Sequence, residues 1–299
     1  MKILLTGATG QLGRELCRAR LPSGTRLIAA SSTQLDLSRP AEVSRYVAEI
    51  TPDLVINAAA YTDVERAEQE PDRAFAVNRD GAAALAKAAA QCNAPIVHLS
   101  TSDVFDGGKQ GEWTETDRPN PLDVHGQSKL IGEFAVAAAN PRHLIVRTSW
   151  LYAAHGRNFL RTMLCLGQER GSLAVIDDEI GRPTAAADLA DMVLLMAARA
   201  MTENQYWGLY HVSNAGAPTS WHDFASAIFS NAARWSGIPP LLEPVSGETS
   251  AAYRIRPRNC VLHLGKLERT FGLTPRPWQA ALADTLEELR FEEMRMRTS

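Results

Sequence analysis

The segment "KILLTGATGQLG", residues 2–13, places Gly7, Gly10 and Gly13 between a short apolar strand and a helix whose apolar spacing runs through Leu12, Leu16 and Ala19. No other feature constrains the fold as much. Glycines three apart at a strand-to-helix turn let backbone approach a pyrophosphate. The open N–H groups at the helix start, around Gln11 and Leu12, then meet its charge. Gly7, Thr9, Gly10, Gln11 and Leu12 are therefore the expected cofactor contacts. A turn that merely packs also uses glycines, but this one stands at the first βα junction of an alternating chain.

The alternation continues. "RLIAAS", "DLVINAAA", "PIVHLST" and "HLIVRTSWLY" read as further strands. Between them, "LDLSRPAEVSRYVAEI" predicts a helix capped by Ser38, "PDRAFAVNRDGAAALAKAAAQCN" one long helix, and "QSKLIGEFAVAAA" another. Apolar strands alternating with helices imply a parallel sheet covered on both faces, an α/β doubly wound fold of Rossmann type. Residues 1–152 are expected to form the dinucleotide-binding domain and 153–299 a smaller C-terminal substrate domain, unless 184–212 returns to pack on the main sheet. In the second half, "SLAVIDDEI" and "GLYHVSN" read as strands, and "SWHDFASAIFSNAARW" and the chain from about Pro277 as helices.

A formal charge of −3 gives no electrostatic reason to expect nucleic acid or an anionic membrane as partner. The opening apolar run is too short for a membrane span and lacks a signal-peptide cleavage region. Cys17, Cys92, Cys165 and Cys260 lie far apart with no C-x-x-C pair, which suggests neither disulfides nor zinc. These readings point to a cytoplasmic protein. His155, His211 and His222 have no metal-ligand spacing, and no local cluster assigns a metal site, which leaves a metal requirement open.

The second strand ends in Ala30, Ser31, Ser32 and Thr33, where an NAD-selective fold usually carries a carboxylate for the ribose 2′-hydroxyl. Without that carboxylate a 2′-phosphate is admitted, so NADPH is expected and NADH is allowed. Asp36, followed by Leu37, stands further on, to contact adenine or cap a turn. The small residues Ala58, Ala59 and Ala60 end the third strand and would let ribose or nicotinamide lie against backbone. Ser100, Thr101, Ser102 and Asp103 end the next one, at the carboxyl edge where ligands bind in such folds. Close helix packing and capping use the same residue types.

Taken together, "TGATGQLG", "NAAAYT", "VHLST", "VFDG", "NPL", "SKL", "VRTSWLY", "IDDEIGRPT", "GLYHVSN" and "RPRN" resemble the dTDP-4-dehydrorhamnose reductase family of the extended short-chain dehydrogenase/reductases, almost end to end. The resemblance implies NAD(P)H-dependent reduction of the 4-keto group of a nucleotide-activated 6-deoxysugar. It also implies a Y-x-x-x-K pair on one helix face, whose tyrosine protonates the carbonyl oxygen while the lysine assists it and holds the nicotinamide ribose. Carried over by position, the lysine is Lys129, the assisting hydroxyl is Thr101, and the tyrosine's place is taken by His125. A second departure accompanies the first, because the family's S-T-D-Y-V-F reads "STSDVF", with Ser102 and Asp103 at the changed positions.

The exchange alters the acid. A phenol donates a proton from its neutral form, whereas the useful acid of an imidazole is its cation, ordinarily with a pKa of about 6.5, which a lysine ammonium nearby disfavours. A carboxylate within about 4–6 Å would favour that cation, and Asp103 is the candidate. Catalysis is thus expected of His125, Lys129, Thr101 and Asp103, and sugar-nucleotide contact of Ser102, Asp103, Trp150, Arg182 and Arg258. Arginine forks suit a diphosphate, and a tryptophan face suits a sugar ring. Some members of the family carry a divalent metal at a dimer interface, so a homodimer is compatible with the resemblance. Two other classes stay open: a cofactor-binding protein with little turnover, and a nucleotide-sugar epimerase or dehydratase. Dehydratases usually need a carboxylate pair after the strand-end threonine, and "TSD" supplies one.

Overall fold

The computed structural model describes residues 1–249 and 256–298. Five apolar segments form β1 (Lys2–Thr6), β2 (Arg26–Ala30), β3 (Leu54–Asn57), β4 (Ile96–Thr101) and β5 (His143–Thr148). Among them lie α1 (Gln11–Arg18), α2 (Pro40–Ile50), α3 (Val64–Gln69), α4 (Pro71–Phe75), α5 (Ala82–Gln91) and α6 (Val124–Ala139). Past β5 come β6 (Leu151–Tyr152), α7 (Phe159–Glu169), β7 (Ser172–Ile176), β8 (Ile180–Gly181), β9 (Thr184–Ala185) and α8 (Ala186–Ala200). The chain continues through β10 (Gly208–His211), β11 (Thr219–Ser220), α9 (Trp221–Ser236), β12 (Leu241–Val245), α10 (Gly265–Phe271) and α11 (Trp278–Thr298).

The main sheet has the order β10-β5-β4-β3-β1-β2, and all its pairings are parallel. Covered on both faces, its strands carry near-continuous apolar sequence; all of β3 is buried. After β2 the chain crosses back over β1 to place β3 on the other side. That switch of direction opens a crevice beyond the carboxyl ends of β1 and β3. One core joins Ile3, Leu5, Leu54 and Val146 of the sheet to Leu189, Val193 and Met196 of α8, so α8 and β10 pack on the main sheet. A second core gathers Tyr152, Phe224, Ile228, Trp278 and Leu282.

Four local readings change. Ser38 does not cap α2: its hydroxyl donates to Asp36 Oδ1 at 2.8 Å, Arg39 is the N-cap, and Pro40 begins the helix with its preset φ. The long helix over 71–93 is interrupted by a π-helical turn at Ala76–Gly81, which rotates Asn78 toward the next layer. The "HLIVRTSWLY" strand breaks at Trp150, whose φ is +48°, so β6 leaves the sheet and pairs with β9. "SLAVIDDEI" divides into β7 and β8, which pair with β12 and β11 respectively.

Helix α6 approaches its neighbours at two glycines. A Cβ on Gly126 would lie 2.2 Å from the Asp103 carbonyl oxygen, and one on Gly132 would lie 2.1 Å from the Asn78 carbonyl oxygen. Both obstacles are backbone and cannot rotate aside. Gly132→Ala should therefore push α6 off the π-turn, lowering unfolding free energy by about 1–3 kcal/mol in urea titration. An unchanged urea midpoint would show that the contact is looser than described.

Candidate active site

The glycine turn forms one end of the crevice. Gly7 has φ +73°, and a Cβ there would meet the Ala59 amide nitrogen at 2.5 Å, so only glycine lets the ends of β1 and β3 close this far. Gly13 backs against the Gly7 carbonyl oxygen, where a Cβ would lie at 2.0 Å. Gly10 is the N-cap of α1 and supplies no side-chain acceptor, and the first turn holds no acidic residue. The N–H groups at this helix start are left for an anion.

A cavity of about 540 Å³ runs from that turn along the sheet rim. Gly7, Thr9, Gly10, Gln11 and Leu12 line it, followed by Ala58, Ala59 and Ala60, and then Thr101, His125, Lys129 and Trp150. Among the described residues no carboxylate lines it, while Lys129 and Arg157 do. The Gln11 Oε1 atom is buried without a partner, a polar end available to a bound group. This chemistry fits the diphosphate and ribose of a dinucleotide. At the end where an adenosine would lie, Ser32 and Leu35 complete the wall, and no acid among the described lining residues would repel a 2′-phosphate.

Helix α6 begins at Asp123, whose carboxylate accepts from the Gly126 amide at 2.7 Å. His125 and Lys129 follow at i and i+4 on the cavity-facing side, and both are buried. His125 Nδ1 lies 3.0 Å from the Tyr61 carbonyl oxygen. A carbonyl can only accept, so Nδ1 carries a proton in either charge state, and Nε2 is the nitrogen left to gain or lose one. Nε2 has no hydrogen-bond partner among the described residues. The Tyr61 carbonyl is itself fixed, because Asn78 of the π-turn accepts from the Tyr61 amide at 2.8 Å and donates to its carbonyl at 3.1 Å. The same Asn78 amide donates to Ser128 Oγ, tying the clamp back to α6.

Lys129 Nζ donates to the Leu99 carbonyl on β4. Burial pulls its pKa down to about 8, against an opposing pull from the Glu133 carboxylate. Below the sheet rim, Thr6 donates to Asn57, and Asn57 donates to His98, which locks the ends of β1, β3 and β4 together. Burial first, and then the Lys129 charge, hold His98 well below the ordinary imidazole range, so it is neutral. Thr101 Oγ1 accepts from the Asp103 amide at 3.1 Å and keeps its own proton to donate.

Several expected residues lie elsewhere. Asp36 turns to the amide and hydroxyl of Ser38, and Leu37 is buried in the core, both outside the cavity lining. Ser102 is buried and donates to Asp103 Oδ1 at 3.2 Å; neither residue lines the cavity. Burial raises the pKa of the Asp123 carboxyl, the Gly126 amide opposes that rise, the Asp103 charge adds to it and His125 opposes it. Arg182 is buried and bound to the carbonyls of Gly216 and Leu262 and to Glu112, while exposed Arg258 pairs with Glu248. Trp150 does line the cavity, stacked at 3.5 Å on Trp221, with Gly181 directly beneath its ring.

The sequence profile described as the RmlD substrate binding domain matches residues 1–291. The dTDP-4-dehydrorhamnose reductase of Escherichia coli strain K12 is 43% identical over 296 residues, spanning 97% of this chain and 98% of that protein. The chain belongs to the dTDP-4-dehydrorhamnose reductase family. Two solved structures with that description superpose closely. The Clostridium acetobutylicum protein gives a TM-score of 0.89 at 37% identity, covering 97% of this chain and 100% of its own. The Bacillus anthracis protein, solved in complex with NADP, gives 0.90 at 36%, covering 96% and 99%.

The buried ammonium makes stability depend on pH. The folded-state pKa of Lys129, about 8, lies below its ordinary 10.5. Between those values the unfolded chain holds a proton that the folded one has lost, so this group's contribution rises with pH across the window. Its cost at pH 7 is on the order of 3 kcal/mol. In urea titrations at several pH values, the stability of Lys129→Met minus that of wild type should shrink between pH 8 and 10.5. A gap that stays constant or widens would contradict the assignment.

Proposed function

We propose that this chain reduces the 4-keto group of a nucleotide-activated 6-deoxysugar with NADPH, NADH also being accepted, in the manner of dTDP-4-dehydrorhamnose to dTDP-L-rhamnose. The observation that carries the reading is the convergence of the uncapped glycine turn, Thr101, His125 and Lys129 on one cavity that no carboxylate of the described residues lines. The names of the relatives support the same substrate. In this reading the chain acts in the cytoplasm, in line with four free cysteines, and as a homodimer. Residues 1–152 hold the dinucleotide, and Trp150 with the second core offers the sugar nucleotide its wall.

When bound, the dinucleotide supplies a hydride to the carbonyl carbon. The residues present supply the rest. The first-turn amides of α1 hold the diphosphate, and Ala58 to Ala60 give the ribose and ring a flat backbone floor. Lys129 offers its ammonium to the ribose hydroxyls. As the new C–H bond forms, the carbonyl π pair moves to oxygen, where Thr101 donates a hydrogen bond and His125 Nε2–H gives up its proton.

Because Tyr61 keeps a proton on Nδ1, that donation is open only to the imidazolium, and the product of the step is the neutral ring. Reduction therefore weakens as pH rises through the imidazole titration, and oxidation of the alcohol strengthens. With protein, NADPH and the 4-keto sugar nucleotide, absorbance of the reduced nicotinamide should fall. Its kcat should decline about tenfold per pH unit on the alkaline side. His125→Asn should lose 10²–10⁴-fold in kcat, whereas His125→Tyr should carry activity to higher pH. A wild-type profile flat from pH 6 to 9, or an undiminished Asn variant, would remove His125 from the reaction.

A further inference from the structure

Beneath the catalytic end of β4 lies a buried charge pair that none of these steps uses. Glu133 follows Lys129 by one helical turn on α6 and is 3% exposed. Its Oε1 accepts from the Ser100 hydroxyl at 2.5 Å and from Arg147 Nε at 2.9 Å, and its Oε2 accepts from Arg147 Nη2 at 2.6 Å. Arg147, on β5, is 2% exposed; its guanidinium stands 5.0 Å over the Phe105 ring, and its Nη1 has no hydrogen-bond partner. A fork-to-carboxylate pair would satisfy the charges by itself. Here one carboxylate oxygen is shared with the hydroxyl of the residue directly before Thr101, and Ser100 itself lines the cavity.

We propose that Glu133 is a positioning residue of this site: through Ser100 it fixes the strand end that carries Thr101, and from one turn away it supplies the countercharge to the Lys129 ammonium. His125, Lys129 and Glu133 then occupy successive turns of one helix face, as acid, cation and anchor. The groups facing Lys129 agree with that order. His125 and Glu133 belong to its own helix, neutral His98 lies on β4 and Arg147 on β5. Of these Glu133 is the anion, and it is the group that opposes the effect of burial on Lys129. Replacing a buried pair by neutral groups is often tolerated, while removing one partner strands the other charge. Packing and electrostatics can accordingly be separated.

The inference deepens the reductase reading, but its decisive readout needs no substrate, so the two can fail separately. In protein carrying ε-¹³C-lysine, the Lys129 resonance is titrated by NMR in wild type, Glu133→Gln and Glu133→Gln/Arg147→Met. Glutamine keeps an acceptor for Ser100 and loses the charge. In Glu133→Gln the Lys129 midpoint should drop by about one pH unit. Stranded Arg147 should also lower the melting temperature of that variant. The double variant should recover the melting temperature and keep the lowered midpoint, with kcat reduced in both. A wild-type midpoint in either variant would overturn the proposal and leave Glu133 a packing residue; so would a midpoint restored along with the melting temperature.

Discussion

The functional arrangement depends on how closely α6 can lie against the backbone around it. Two glycines bring it within touching distance of the loop after β4 and of the π-turn. At that separation, side chains one turn apart reach different partners: His125 the Tyr61 carbonyl, Lys129 the Leu99 carbonyl, Glu133 the Ser100 hydroxyl. Each contact joins the helix to a different segment, so the three groups are located by the fold as a whole.

The π-turn gives a histidine at position 125, where the family resemblance leads one to expect tyrosine, a fixed partner. By widening one turn, it aims Asn78 at both polar groups of Tyr61 and at Ser128. The Tyr61 carbonyl is thereby held in place to receive an N–H. A phenol has no second polar atom for such a bond. An imidazole does, and the bond settles which nitrogen can serve the cavity. The consequence is chemical as well as geometric: a ring anchored through Nδ1 is a base when neutral and an acid when charged. The N-cap carboxylate of Asp123 and the His125 ring interact across the first turn of α6.

Much of this was legible beforehand, for identifiable reasons. The glycine turn, the alternation and the i, i+4 pair are local patterns with one physical meaning each, and the sheet order follows from them. Asn78 was hidden because it sits in an alanine-rich run that reads as plain helix, and a π-turn leaves no compositional mark. Glu133 could have been noticed as a carboxylate repeating the spacing of His125 and Lys129, but its partners on β4 and β5 are set by sheet register. A guanidinium suited to phosphate is equally suited to carbonyls and carboxylates, and Arg182 and Arg258 hold such partners here. Trp150 lines the cavity, and the bend that puts it there, with Gly181 beneath its ring, belongs to tertiary packing.

The whole account requires that a nicotinamide dinucleotide lie along the carboxyl rim of the sheet with its diphosphate at the start of α1. Isothermal titration calorimetry of the folded protein with NADPH measures this directly. Saturable one-site heat, with a dissociation constant in the micromolar range, is the predicted result. No heat with either NADPH or NADH, from protein confirmed folded by circular dichroism, would contradict it.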